Sequence, residues 1–281
     1  MAGTLYVVAT PIGNLEDISA RGLRMLREVS VIAAEDTRRT AHLLARYAIS
    51  TPTTSLHEHN EVGKSRSLID RLLAGDSIAL VSDAGTPTVS DPGEHLVRSA
   101  ISAGIRVESI PGPSAILAAL AASGLSDGTF TFLGFPPARG PDRKKWFERV
   151  RVVAGTLVFF EAPHRIRQTL VELQTVVGDC RVSLGRELTK THEELVRGLI
   201  SEVMPHLKEP RGEFTVVAEI GLSTETGPIE PPEPKLLLAE FGEMTKFGEL
   251  NRREAVLKLA ERYRVRSRRM YQMLETAKKS V

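Results

Sequence analysis

Cysteine is nearly absent: Cys180 is the single one in 281 residues. That excludes an intramolecular disulfide framework and makes a reducing cytoplasm the expected compartment. No apolar run approaches the roughly 20 residues of a membrane span, so no membrane partner is expected. The opening MAGTLYVVATPIG has no basic leader and runs straight into a strand-like segment, so no signal peptide is expected either. Common nucleotide signatures are missing as well. GKS at Gly63–Ser65 would need a glycine at position 58 to make a phosphate loop, and Glu58 stands there. TPIGNL has one glycine and a proline where a dinucleotide turn needs several glycines. GxSxG is absent, which weakens any nucleophilic serine. HEHNE, residues 57–61, offers two His and two Glu, but no Cys lies nearby and no HxxxH helix occurs elsewhere. A polar loop accounts for it better than a metal site, and no metal is expected.

What is present is a regular alternation. LYVVAT (5–10) precedes the amphipathic DISARGLRMLRE, and VSVIAA (29–34) precedes TAHLLARYA. GKSRSLIDRLLAG leads to SIALVS (77–82), and EHLVRSAISAG leads to IRVESI (105–110). Short Val/Ile-rich runs alternating with helical periods predict parallel strands with crossover helices. The second half has strand candidates at TFTFLGF, TLVFFEA, CRVSLGR and GEFTVVAEI, the last alternating as in a mixed or antiparallel sheet. Helical patterns fall at KKWFERVRVV, RIRQTLVELQTVV and EELVRGLISEVMPHL. STETGPIEPPEP, with five Pro or Gly in twelve residues, predicts a linker. The expected fold is α/β in two domains, residues 1–112 with a parallel sheet covered by helices on both faces and residues 113–222 with a mixed sheet. The linker 223–234 and a helical extension 235–281 follow.

Net charge is only +2, yet residues 246–281 carry eleven Lys/Arg against four Glu, leaving the first 245 residues at about −5. In this tail Leu250, Ala255, Val256, Leu259 and Ala260 form one apolar stripe, and Met270, Met273, Leu274 and Ala277 another. Arg262, Arg264, Arg266, Arg268 and Arg269 crowd the break between the two helices. A compact basic helix-turn-helix fits nucleic-acid binding; a small docking or dimerisation bundle fits the same pattern.

Each predicted strand of the first half ends in breaker chemistry: TPIGN, EDTR, SDAGTP and PGPS. In an open parallel sheet such loops gather at one edge, where ligands bind. LVSDAGTPTVSDPG (80–93) holds four Gly or Pro, two Asp, two Ser and two Thr. Gly85 permits close approach, Pro87 fixes a turn, and free N–H groups can meet a polar ligand. Ser114 in PGPSA is predicted as an N-cap. FFEAPHR and LGRELTKTHEE set Glu161, His164, Arg165, Arg186, Glu187 and Lys190 just past strands.

TPIGNLEDIS, AAEDTR, HEHNE, LVSDAGTPTVSDPG, IPGPSA, FLGFPP, FEAPHR, RELTKTHEE and RGEF, in this order and spacing, resemble the cytidine 2′-O-methyltransferase branch of the tetrapyrrole methylase superfamily. The resemblance runs from about Leu5 to Glu219, and the basic tail is similar too. It implies an S-adenosyl-L-methionine enzyme of two α/β domains, with the cofactor in the cleft between them and a homodimer as the working form. It also implies a cytosolic enzyme acting on small-subunit ribosomal RNA, naked or in the 30S subunit. By motif matching, Pro11, Ala84, Gly85, Thr86, Val89, Ser114 and Ala115 would meet the cofactor, with Glu161 and Leu188 from the second domain. Thr86 stands where relatives that act on tetrapyrroles have Asp.

Transfer to a ribose 2′-oxygen needs alignment and loss of the hydroxyl proton. Lys190, if burial or Arg186 lowers its pKa, and Glu187 or Asp36 are the candidate bases. Arg38, Arg165 and Arg186 are candidate phosphate contacts, alongside the tail's Arg264, Arg266, Arg268 and Arg269. Two competing readings remain: a methyltransferase of a tetrapyrrole or other small substrate, and a non-catalytic RNA-binding ribosome-assembly protein. A basic helical tail has no task in the first, and absence of cofactor binding would mark the second.

Overall fold

The structure, a computed structural model, describes residues 2–126, 128–207, 211–221, 233–246, 250–263, 265 and 267–280. Most of the expected linker (223–232), Arg264 and Arg266 lie outside the described residues. The chain divides into two compact units, Met1–Ala122 with Gly185–Glu194, and Ser123–Leu184 with Leu195–Val281.

The first unit runs β1 (Thr4–Val8), α1 (Ala20–Glu28), β2 (Val31–Ala34), α2 (Thr37–Arg46), β3 (Thr53–Ser55), α3 (Glu61–Leu73), β4 (Ile78–Val81), α4 (Glu94–Ser102), β5 (Arg106–Ile110) and α5 (Ala115–Ser123). Its sheet has the order β3-β2-β4-β1-β5, with parallel pairing throughout. Every residue of β2 and β4 is buried, which is why both read as unbroken apolar runs rather than alternating ones. Successive side chains feed opposite faces. Val8, Ile32, Ala34, Ala79 and Val81 pack with Leu26 of α1 and Leu43 and Leu44 of α2. Leu5, Val31, Ala33, Ile78 and Leu80 pack with Leu68 and Leu72 of α3 and Leu96 of α4. Helices therefore cover both faces, as predicted. Local signals start the helices: Ser19 Oγ accepts the Gly22 amide at 3.0 Å to cap α1, and Asp36 Oδ1 accepts the Arg38 amide at 2.8 Å to cap α2.

The second unit runs β6 (Phe130–Phe132), α6 (Pro141–Arg151), β7 (Gly155–Glu161), α7 (Ile166–Val177), β8 (Arg181–Arg186), β9 (Glu194–Leu199), α8 (Ile200–Val203) and β10 (Phe214–Ile220). Three further helices follow, α9 (Pro234–Lys246), α10 (Arg252–Arg262) and α11 (Ser267–Ser280). The sheet order is β6-β7-β10-β8-β9, with β6 parallel and β10 antiparallel to β7, so the sheet is mixed. Trp146, Leu157, Phe159, Leu170, Leu173, Val182 and Val216 lie in its core. The buried Trp146 indole donates to the Leu133 carbonyl at 3.0 Å, which removes the cost of burying its N–H. Cys180 is buried just before β8, and burial pushes its thiol up to about 12.

Two elements depart from the expectations, and a third fills in the expected helical extension. EELVRGL is strand β9 and only Ile200–Val203 is α-helical, although the apolar spacing suits a helix. Pairing beside β8 satisfies the backbone there, and Gly198 weakens the helical alternative. The three-residue edge strand β3 is polar and half-exposed, with nothing to mark it in sequence. LLLAEFGEM forms α9 directly after the proline-rich stretch. The break between α10 and α11 falls where predicted, and Leu237, Phe241, Ala255, Leu259, Met270 and Leu274 make one helical core.

Candidate active site

The loops after β1, β2, β4 and β5 leave the carboxyl ends of neighbouring strands. They are stitched together mainly through backbone groups. Thr10 and Gly85 exchange two hydrogen bonds, at 2.8 and 3.0 Å, forming an isolated antiparallel bridge between the first loop and the β4 loop. The Thr10 hydroxyl donates to the Ser82 carbonyl at 3.1 Å. Gly85 has φ +86°, a conformation glycine adopts without the Cβ penalty. Thr86, where an acid was the alternative, donates its hydroxyl to the Pro113 carbonyl at 3.3 Å and so ties in the PGPS loop. Thr88 and Ser90 are non-glycine residues at φ 72° and 67°. Such backbone persists only where its surroundings over-determine it.

The far end of this loop is held by HEHNE. Glu61 Oε1 accepts the amides of Gly93 at 3.1 Å and His95 at 2.7 Å, capping α4 from α3. Glu61 was not among the expected site residues. Its partners lie more than 30 positions away, so only the acid inside a breaker-rich constellation hinted at it.

The segment 185–194 returns from β8 to the first unit. Glu187 and Thr189 have φ 50° and 64°, so the turn is tight. Thr189 Oγ1 accepts the Asn14 amide at 2.9 Å, and the Thr189 amide donates to Glu193 Oε2 at 2.7 Å. Gly13 lies against this turn so closely that a Cβ there would sit 2.5 Å from Lys190 Cγ and 2.9 Å from the Leu188 carbonyl. Lys190 Nζ donates to Glu187 Oε1 at 2.9 Å, both side chains being partly buried. Leu188 is buried, and Arg186 pairs with Glu194 at 2.8 Å. Gly13, Asn14 and Thr189 were missed because their importance is one of approach, not of reactive groups.

Carboxylates collect at the ends of β2 and β4. Asp83 Oδ1 accepts the Asp36 amide at 3.0 Å, Glu35 Oε2 accepts the Asp83 amide at 3.2 Å, and Arg39 pairs with Asp83 at 3.3 Å. Burial, with help from the Asp83 and Asp36 charges, holds Glu35 above the usual carboxylate range. Asp91 is pushed up to about 6, chiefly by burial and further by the Glu35 and Asp83 charges. Asp36 goes the other way, because the Arg38 side chain and amide hold it well below that range. Its pair with Arg38, at 2.7 Å, makes Asp36 a poor proton acceptor and already engages Arg38.

Pro11 and Gly85 are buried, Thr86 is half-buried, and Ala84 and Val89 are exposed. Ser114 caps α5 as predicted, its Oγ accepting the Leu117 amide at 3.4 Å, with Ala115 opening the helix. In the second unit Glu161 is buried, accepting the Thr169 hydroxyl at 2.6 Å and the Ala162 amide at 2.8 Å and pairing with Arg165 at 2.8 Å. Arg165 also donates to the Pro136 carbonyl at 3.2 Å, so both residues are committed to an internal network. Arg143 extends it, bonding Thr169 and Glu172 at 2.9 Å each. Arg268 and Arg269 are exposed on α11. Among the described residues no group of three or more His, Cys, Asp or Glu is arranged to hold a metal ion, and no helix is long and apolar enough to cross a membrane.

Residues 4–204 match the tetrapyrrole (corrin/porphyrin) methylases as a family. The chain belongs to that family. Among curated relatives, the ribosomal RNA small subunit methyltransferase I of Synechocystis sp. is 42% identical over 274 residues, covering 96% of this chain and 97% of the relative. The protein of the same name from Halalkalibacterium halodurans is 48% identical over 219 residues, 77% of this chain and 76% of the relative. Of solved folds, uroporphyrin-III C-methyltransferase from Thermus thermophilus, complexed with S-adenosyl homocysteine, superposes with TM-score 0.56 at 21% identity over 76% of this chain and 97% of that one. Diphthine synthase gives TM-score 0.61 at 17% identity over 77% and 90%. The parallel sheet and mixed sheet of this methylase are thus a shared scaffold.

Proposed function

We propose that this methylase transfers a methyl group from S-adenosyl-L-methionine to the ribose 2′-oxygen of a cytidine in small-subunit ribosomal RNA. What carries the reading is the likeness to a curated ribosomal RNA small subunit methyltransferase I, 42% identity across 96% of the chain. The loops fit the cofactor. Exposed Ala84, the left-handed Gly85 and the Ser114 cap at the start of α5 leave backbone rather than bulky side chains at the strand ends. Pro11, Thr86, Val89, Ala115 and Leu188 are the further cofactor contacts of this proposal.

The cofactor supplies an already activated methyl on a sulfonium. The protein's task is to align the hydroxyl and take its proton. With Asp36 committed to Arg38, the Lys190–Glu187 pair is the acceptor of this proposal. The tight turn and the close seat of Gly13 keep that pair in one geometry. Arg186, beside its partner Glu194, and the exposed Arg268 and Arg269 of α11 are the phosphate contacts of this proposal, which position RNA without reading bases. A homodimer in the cytoplasm belongs to the same proposal; the buried thiol is compatible with a reducing compartment.

Incubation of tritiated-methyl cofactor with 30S subunits, naked ribosomal RNA and a tetrapyrrole precursor tests it. Label on alkali-resistant cytidine dinucleotides is the expected result. Label on a base alone, or on the tetrapyrrole, would overturn the reading. For the proton acceptor, Lys190→Met and Glu187→Gln are each expected to lower kcat about 10²–10⁴-fold and to displace its pH profile. An unchanged profile in both would remove the pair from the chemistry.

A further inference from the structure

The C-terminal helices carry a groove that none of the roles above uses. An open cavity of about 450 Å³ lies between α10 and α11, with Arg252, Arg253 and Leu257 on one helix and Tyr271, Glu275 and Lys278 on the other. Both helices already bury an apolar stripe, Ala255 and Leu259 on α10 and Met270 and Leu274 on α11. Leu257 and Tyr271 nevertheless stay 50% and 57% exposed. A tyrosine ring is therefore offered to solvent on a helix whose packing does not need it.

The net charge around that ring is positive. Glu275 is neutralised by Lys278, which also sits 5.8 Å over the Phe241 ring. Arg252 and Arg253 are exposed, and among the described residues neither has an ion-pair partner. They open α10 just after a capping box, in which Asn251 Oδ1 accepts the Glu254 amide at 3.0 Å and Glu254 Oε2 accepts the Asn251 amide at 2.9 Å. Their backbone is thus fixed while their side chains stay exposed. Arg268, exposed one turn before Tyr271 on the same side of α11, adds a further cation.

An aromatic and aliphatic floor beneath exposed guanidinium groups matches the chemistry of a single nucleic-acid strand. A base lends its π-face to an aromatic ring while its phosphates meet the cations, and every base has such a face. The volume falls within the ~300–1,000 Å³ of small-ligand pockets, the scale of one nucleotide and not of a duplex. A partner protein helix would find the apolar floor but would meet this cationic rim with no use for it. We infer that the α10–α11 groove binds one unpaired nucleotide of an RNA strand, the base stacked on Tyr271 and the flanking phosphates on Arg252 and Arg253. The inference rests on the reading that RNA is the substrate, and it names a contact separate from the residues assigned to methyl transfer.

The test uses the full chain and fluorescein-labelled RNA, one oligonucleotide unstructured and one a perfect hairpin, titrated by anisotropy at several salt concentrations. Tyr271→Ala is expected to weaken binding of the unstructured strand about 5- to 100-fold, and Tyr271→Phe to restore most of it. Arg252→Gln with Arg253→Gln should flatten the dependence of log affinity on log salt by about 1–1.5, because two phosphate contacts are lost from a single strand. In methyl transfer to ribosomal RNA, Tyr271→Ala should raise KM for RNA by more than it lowers kcat. Circular dichroism checks folding, and the exposed position of Tyr271 makes a folding defect unexpected. Affinity and KM of Tyr271→Ala within twofold of the parent would overturn the inference while leaving the methylase reading intact. Equal losses on strand and hairpin would also overturn it, in favour of a duplex-reading surface. If the parent methylates no RNA yet shows the Tyr271 dependence, the functional reading falls and the groove stands.

Discussion

Replacing three glycines by alanine separates the forces that hold the first unit's loops. Gly13 is not in the left-handed region, so its backbone accepts alanine, and the cost is steric alone. The new Cβ would lie 2.8 Å from Thr189 Oγ1 and 2.9 Å from the Leu188 carbonyl. The Lys190 stem can rotate away, but the carbonyl is backbone and Thr189 Oγ1 is fixed by the Asn14 amide. Relief requires the turn to move by about half an ångström, an overpacking cost of about 1–3 kcal/mol. Loss of the Asn14–Thr189 hydrogen bond would add about 0.5–1.5 kcal/mol. Gly13→Ala is therefore expected to lose about 2–4 kcal/mol in urea denaturation and, by displacing Lys190 and Glu187, about 10- to 100-fold in kcat/KM. Gly85→Ala meets open space, its nearest neighbours being Ile12 Cγ2 at 3.6 Å and the Pro113 carbonyl oxygen at 4.0 Å, but must hold φ near +86°. That conformational cost is about 1–2 kcal/mol. Gly63→Ala, inside α3 with nothing within 4 Å of a Cβ, is expected to gain about 0.5–1 kcal/mol. The order Gly63, Gly85, Gly13 is the prediction. Gly13→Ala ranking beside Gly63→Ala would refute the close seat of the first loop on the 187–190 turn.

Asp91 should give a pH signature. Its pKa rises from 3.8 to about 6 on folding, so the native state favours the protonated form. Its stabilisation is present below about pH 4 and lost as pH rises through 6. Asp91→Asn should stabilise the protein at pH 7.5 relative to the parent and do little at pH 4, as thermal midpoints at the two pH values would show; the same difference at both values would contradict this origin. Arg143→Met removes a cation whose side chain is 8% exposed, and with it the bonds to Glu172, Thr169 and the Pro137 carbonyl. A loss of about 3–5 kcal/mol is expected in urea, and a loss below 1 would show the network to be dispensable. With its pKa near 12 and its side chain buried, Cys180 should stay silent toward a thiol reagent at pH 8 until denaturant is added. Reaction of the native protein within minutes would mean that the core around β8 opens readily.

The strands of the first sheet were legible because full burial makes β2 and β4 unbroken apolar runs, and the helices because Ser19 and Asp36 cap amphipathic periods. β9 was not, since Leu195, Val196, Leu199, Ile200 and Val203 satisfy a helical spacing and only the neighbouring strand decides between the two. β3 carries no apolar signal at all. For the site, breaker-rich strand ends located the loops, and Ser114 could be named as a cap. What joins the loops was beyond local pattern. Thr10 meets Gly85 across 75 residues, Glu61 holds an amide 32 residues on, and Asn14 finds Thr189 across 175. Charge pairing was equally hidden: Asp36 and Arg38 looked available and turn out to occupy one another.

The return of residues 185–194 to the first unit has a consequence for synthesis. The first sheet is complete once β5 has emerged, yet the turn that Asn14 needs is specified 175 residues after it. From the end of β5 at Ile110 to Glu194 the ribosome must add 84 residues, so at about 5–20 residues per second the nascent first unit waits roughly 4–17 s with its opening loop unsupported. During that interval the ribosome carries a finished sheet with an unfinished active edge, so the protein cannot acquire its proposed activity before the segment ending at Glu194 has been translated.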